Sequence, residues 1–252
     1  TASPCCAMTR RSTPCLLHRA SKPSTHSMLQ QNCFVLDLDD TLYPERDYVR
    51  SGFRAVDALV ADRLRLAGFG DACWQLFLRG DRGRIFDAVL QSQYGLVDPQ
   101  FVSELVHTYR VHKPSIELHP DAQRFLARAQ RLGLPLALIT DGPQGSQRAK
   151  ISALALEDTF SPIVVTAELG EGKSKPHVAA FELVENALGV HGCCCYIADN
   201  PHKDFLAPNQ LGWKSVRIER PGGIYSQATE PTPAHAPHYR ITSLDDVWDL
   251  HK

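Results

Sequence analysis

Asp37, Asp39 and Asp40 follow directly on the apolar run Cys33, Phe34, Val35 and Leu36, with Leu38 among them and Thr41 after. An apolar run with no polar face reads as a strand buried on both sides, and these acids fall at its C-terminal tip, where ligands bind in open parallel sheets. Asp37 and Asp39, two residues apart with Thr41 following, form a D-x-D-x-T pattern. A carboxylate suits attack on phosphorus because it is ionised at neutral pH and the acyl phosphate it forms is readily hydrolysed. A second carboxylate nearby can protonate the leaving oxygen and then activate water. Taken alone, the triplet also fits an acidic loop after a core strand.

The elements around this tip divide the chain. From 46 to 113, Val49, Phe53, Val56, Val60 and Leu64 recur at helical spacing, followed by Trp74, Leu76 and Phe77, then Ile85, Phe86, Val89 and Leu90, then Phe101, Leu105 and Tyr109. Breaks at 68–70, 80–83 and 98–99 predict four helices inserted after the first strand. From Pro114 onward strands and helices alternate, the mark of a parallel sheet with crossover helices. Pro120 opens a helix that Gly133 closes, and Leu136, Ala137, Leu138 and Ile139 form a second strand ending in Thr140, Asp141 and Gly142. A third strand at Ile163, Val164 and Val165 leads to a loop with Lys173 and Lys175, after which Pro176 begins a helix. A fourth strand ends in Asp199, a fifth runs from Trp213 to Ile218, 221–237 reads as loop, and Ser243 caps a last helix. The expected organisation is thus a core of 31–45 and 114–252, a helical insertion at 46–113, and an extension at 1–30.

Lys+Arg number 27 against Asp+Glu 28, which argues against nucleic acid or an anionic membrane as the main partner and for a small-molecule site. No apolar run approaches the roughly 20 residues that span a bilayer. Cys193, Cys194 and Cys195 are consecutive and Cys33 lies in the first strand, positions suited to buried thiols and hence to a reducing, cytoplasmic setting. His191 beside these cysteines offers metal-ligand types, but alternate strand residues face opposite sides and do not converge on one ion. Residues 1–30 lack Asp and Glu and carry Arg10, Arg11, Arg19 and Lys22, a disordered composition that also fits an organelle transit peptide. Met28 stands just ahead of the first strand.

Over roughly 33–250 the residues resemble the haloacid dehalogenase-like (HAD) hydrolases, in the branch with a helical cap inserted after the first motif. Asp37, Leu38, Asp39, Asp40 and Thr41 correspond to the first motif, Thr140 to the second, Lys175 and Pro176 to the third, and Asp199 with Asp204 to the acidic pair of the fourth. Ala198 departs from the pattern, since the family more often has Gly there. The resemblance implies an α/β fold, a Rossmann-like parallel sheet with an all-helical cap, and a Mg2+-dependent phosphomonoesterase working through an aspartyl phosphate. Asp37 is then the nucleophile and Asp39 the general acid and base. Thr140 binds a phosphoryl oxygen with help from the backbone of Asp141 and Gly142, and Lys175, favoured over Lys173, neutralises charge. Asp37, the Asp39 carbonyl and Asp199 hold Mg2+, with Asp204 behind them. Arg46, Arg50 and Arg54 at the start of the cap are ordinarily solvated helix charges, and Arg46 and Arg50 are the candidates to meet a substrate anion. A phosphosugar mutase, which needs a second phosphate site, and a non-catalytic binding protein on the same fold are the alternatives. A dehalogenase is disfavoured by the presence of Asp39. The expected partner is a small phosphorylated metabolite, and the oligomeric state is left open.

Overall fold

The computed structural model describes residues 33–95 and 97–250, so the extension at 1–30 and Met28 lie outside the described residues. Strands β1 (Cys33–Leu36), β2 (Leu136–Thr140), β3 (Ile163–Val165), β4 (Cys194–Ala198), β5 (Lys214–Ile218) and β6 (Tyr239–Ile241) form one parallel sheet in the order β3-β2-β1-β4-β5-β6. β1 is central, and the order reverses on either side of it, which opens a crevice at the C-terminal tips of β1 and β4. The side chains alternate between two cores as strand geometry requires. Phe34, Leu36, Leu138 and Ile197 pack on one face with Phe125 of α5 (Pro120–Arg131) and Ile151 of α6 (Gln144–Ala153). Val35, Ala137, Ile139 and Tyr196 pack on the other with Phe181 and Val184 of α7 (Ala179–Leu188).

Between β1 and α5 lie α1 (Glu45–Leu64), α2 (Phe69–Leu78), α3 (Ile85–Val89), which runs on into a π-helical turn at Leu90–Tyr94, and α4 (Pro99–Val111). These are the four helices expected from the spacing, and Val49, Phe53, Val56, Phe77, Phe86 and Leu105 give them an apolar cluster of their own. Asp98 caps α4 by accepting from the Gln100 amide at 2.9 Å, with Pro99 in the first turn.

Three expectations need correction. The segment after Pro176 becomes α-helical only at Ala179, so the helix does not begin at the proline. The segment 221–237 is not loop throughout, since a 3₁₀ turn forms at Pro233–His235, and the stretch after it, unassigned from the sequence, holds β6, a three-residue edge strand too short to show alternation. Cys33 and Cys194 are not buried thiols: they are register partners on β1 and β4, 5.0 Å apart between Cα atoms, and form a disulfide. The reading of a reducing compartment therefore loses its premise, although Cys195 is free and buried as expected. Among the described residues no helix is long and apolar enough to cross a membrane.

Candidate active site

Asp37 is the first residue beyond β1, and its amide donates to the Ile197 carbonyl at 2.9 Å, which ties the tip of β1 to that of β4. Asp141 and Asp199 occupy the corresponding places after β2 and β4. Asp37, Asp141 and Asp199 line one cavity of about 350 Å³ together with Asp39, Gly142, Lys150 and Lys203. The sheet thus gathers residues more than a hundred positions apart in sequence.

Lys175 is the charge hub. Its Nζ lies 2.8 Å from Asp37 Oδ1 and 2.6 Å from Asp204 Oδ1, and it donates to Tyr196 Oη at 3.0 Å. Its backbone amide donates to Asp141 Oδ1 at 3.1 Å, which fixes the loop that carries it. Lys173 points elsewhere, its Nζ 3.3 Å from His177 Nε2. Burial raises Asp37 to about 6 against the pull of Lys175. Asp199 is pushed well above the ordinary carboxylate range by burial and then by the charges of Asp204, Asp37, Asp40 and Glu45. Carboxylate oxygens of Asp37, Asp199 and Asp204 lie within 4.8 Å of one another. Buried acids with one lysine between them form an oxygen-donor set that a hard cation would satisfy. Lys175 pairs with both Asp37 and Asp204, so Asp199, surrounded by like charges, has most to gain from a cation.

Asp39 turns the other way. It accepts from Lys150 Nζ at 2.7 Å, from Gln147 Nε2 at 3.1 Å and from Tyr43 Oη. Burial pushes Asp39 up, but the Lys150 charge and the bonds from Lys150, Tyr43 and Gln147 outweigh it and hold the carboxyl below its usual range. Lys150 also sits 4.2 Å over the Tyr48 ring of α1. Gln147 and Lys150 stand three apart on the buried face of α6. Neither was expected from the sequence, where the only signal is a lysine on a helix face that also carries Ile151, a position needing an acid partner. Lys203, 3.2 Å from Asp141 Oδ2, is a further cation that the sequence reading quoted without a role.

Thr140 ends β2 fully buried, and its Oγ1 is among the buried oxygens without a hydrogen-bond partner. Gly142 has φ +141°, and a Cβ there would fall 2.5 Å from Gln147 Nε2. Asp40, with φ 50°, is a brace: its carboxylate accepts from the amides of Glu45 at 2.9 Å and Ile224 at 2.7 Å. The cap arginines are not brought to the cavity. Arg50 lies over the Trp74 ring at 5.3 Å and, with Arg54, lines a separate cleft with Asp57 and Asp71. Arg46 is exposed beside Gly222. Helical spacing shows that Arg46, Arg50 and Arg54 share a face of α1 but not where that face points; the cavity takes Arg110 of α4 instead.

A parallel sheet with acids at the tips of β1, β2 and β4, and with helices inserted after the first, defines a carboxylate site on a Rossmann-like α/β fold. Residues 31–212 match the haloacid dehalogenase-like hydrolases, and the chain belongs to that family. It is 32% identical over 168 residues to a phosphoserine phosphatase of Thermus thermophilus, a match covering 66% of this chain and 64% of that enzyme's length. It is 28% identical over 228 residues to a glyceraldehyde 3-phosphate phosphatase of Methanocaldococcus jannaschii, covering 86% and 96%. The fold is shared with YfnB, a HAD-type hydrolase of Bacillus subtilis solved with bound magnesium, at a TM-score of 0.63 and 16% identity over 88% of this chain and 98% of that one.

Proposed function

We propose that this chain is a Mg2+-dependent phosphomonoesterase acting on small phosphorylated compounds through an aspartyl phosphate on Asp37. The observation that carries the reading is the pairing of a buried Asp37 with the Lys175 ammonium at 2.8 Å, in a cavity that also holds the second acid Asp39. The phosphatase names of the relatives support it. Asp37 and Asp199, with the Asp39 carbonyl, are the groups to hold Mg2+, and Asp204 fixes Lys175 behind them. The cation, when bound, offsets the repulsion between an anionic nucleophile and an anionic substrate.

An Asp37 oxygen attacks phosphorus, the ester P–O bond breaks, and the departing alkoxide takes a proton from Asp39, which the approach of the anionic ester brings to its protonated form against the pull of Lys150. Asp39 then takes a proton from water as that water attacks the acyl phosphate, releasing inorganic phosphate and restoring the Asp37 carboxylate. Thr140, whose buried hydroxyl has no hydrogen-bond partner among the described residues, and the amides after it are the donors for a phosphoryl oxygen, while Lys175 behind Asp37 and Lys203 in the cavity lining balance its charge. Residues 46–113 act as a cap over the core formed by 31–45 and 114–252, a division supported by the separate apolar cluster of α1–α4.

Hydrolysis of p-nitrophenyl phosphate should vanish with chelator and return with Mg2+. Ca2+ should not restore it, because its larger and more flexible shell can hold Asp37 through both oxygens and withdraw it from attack. Full turnover in chelator would sink the metal dependence, and retention of turnover in Asp37→Asn would sink the nucleophile.

A further inference from the structure

Beside the carboxylate cavity lies a second and larger one, of about 490 Å³, and the two share Glu45, Tyr109, Arg110 and Tyr225. They adjoin at these four residues. The second is walled by Phe53, Phe77, Phe86 and Ile85 from the helical block and by Ile224 from the loop after β5. Two of its cations are already engaged: Arg82 donates to the carbonyls of Phe77 and Asp81 at 2.9 and 2.7 Å and lies 4.1 Å over the Phe77 ring, and Arg84 pairs with Asp87 at 3.1 Å, while Arg110 and Glu45 stand at the boundary shared with the carboxylate cavity. What the chamber offers a ligand is therefore chiefly aromatic and aliphatic surface.

We propose that the preferred substrate is a phosphomonoester of an alcohol bearing an aromatic ring or equivalent apolar bulk, with its phosphate at Asp37 and its body in this second chamber. The inference rests on the phosphatase reading of the site. It departs from the polar three-carbon compounds for which the relatives are named, phosphoserine and glyceraldehyde 3-phosphate. A three-carbon body would leave most of the chamber unfilled, and beyond the shared residues the walls it fails to cover are the rings and aliphatic groups of Phe53, Phe77, Phe86, Ile85 and Ile224. An aryl group meets the edges and faces of Phe53, Phe77 and Phe86 in the geometries that aromatic pairs prefer. Each apolar methylene taken from water adds roughly fourfold in affinity.

Binding separates this inference from the chemistry. Calorimetric titration of the full chain in Mg2+ with 3-phenylpropylphosphonate and with 3-hydroxypropylphosphonate, neither hydrolysable, should give an affinity at least roughly tenfold higher for the phenyl compound. Ile224→Asn and Ile85→Asn, on opposite walls, should each bring the ratio toward one, and either serves if the other does not fold. Equal affinities in the parent chain, preference for the hydroxyl compound, or a ratio untouched by the folded variants overturns the inference. Absence of turnover of every ester, with the binding preference intact, overturns the phosphatase reading and leaves the chamber's specificity standing.

Discussion

At the scale of single residues, the contrast between two neighbouring lysines decides whether the third motif has been placed correctly. Lys175 is wholly enclosed by Asp37, Asp204 and Tyr196, whereas Lys173 meets only His177. Lys175→Ala should lower turnover by several orders of magnitude, because a buried acidic cluster then loses its one enclosed cation. Lys173→Ala should change it less than about twofold, as is usual for a residue outside the reacting groups. The opposite ranking in steady-state assays would move the site. Asp39 allows a second comparison. Asp39→Asn removes the acid for the leaving oxygen and the base for water, roles worth roughly 10²–10⁴-fold each. In burst measurements of the first step, alkyl esters should suffer that loss and aryl esters much less, since a phenolate leaves without a proton; equal losses would exclude Asp39 as the acid. That Asp37 and Asp39 stand at a strand tip was legible because the apolar run ends there, and both do line the cavity beyond β1. Lys150 and Gln147 were not, since nothing in a helix's own spacing tells which acid of a distant strand its buried face will meet.

The elements are held in register by a seam at the same C-terminal edge of the sheet as the acids. Asp121, in the first turn of α5, takes Arg220 Nη1 at 2.7 Å, the Leu244 amide at 2.7 Å and Ser243 Oγ at 3.1 Å, while Arg220 Nη2 donates to the Thr41 carbonyl at 2.7 Å. One carboxylate thereby joins α5, the segment after β5, and the 3₁₀ turn Leu244–Asp249, and through Arg220 it reaches the loop after β1. Burial works against the ionised form, but the Arg220 bond and the Leu244 amide prevail and hold Asp121 below its ordinary value of 3.8. A depressed carboxylate adds stability that is fully present above the unfolded value and lost as pH falls through the folded one. Asp121→Asn should therefore melt at a lower temperature at pH 7, by about 3 kcal/mol if Arg220 is left without its counter-charge. The gap from the parent chain should begin to close as pH falls below about 3.8 and vanish only below the lowered folded value, where the parent's own carboxyl is protonated. A gap that persists there would assign the loss to packing. The sequence showed Ser243 as a cap, and Ser243 does accept from the Asp245 amide. It did not show Asp121 as the seam, because the partners come from three other segments and no local spacing relates them.

At the scale of the molecule, the parallel alternation after Pro114 and the four inserted helices were readable because both rest on periodicity within short windows. What periodicity lacks is register and azimuth. Cys33 lies opposite Cys194 only because β1 pairs with β4 in that frame, and Arg50 faces Trp74 only because α1 is rotated so. The brace at Asp40 carries a consequence of the same kind. A single side chain gathers the amide that opens α1 and the amide of Ile224, so the floor of the helical block and the loop walling its apolar chamber are fastened to one residue of the acidic tip. Variation along 221–225 can then remodel which alcohols are accepted while the residues that break the ester bond keep their places, so that new specificities are open to this chain through a few changes in one short loop.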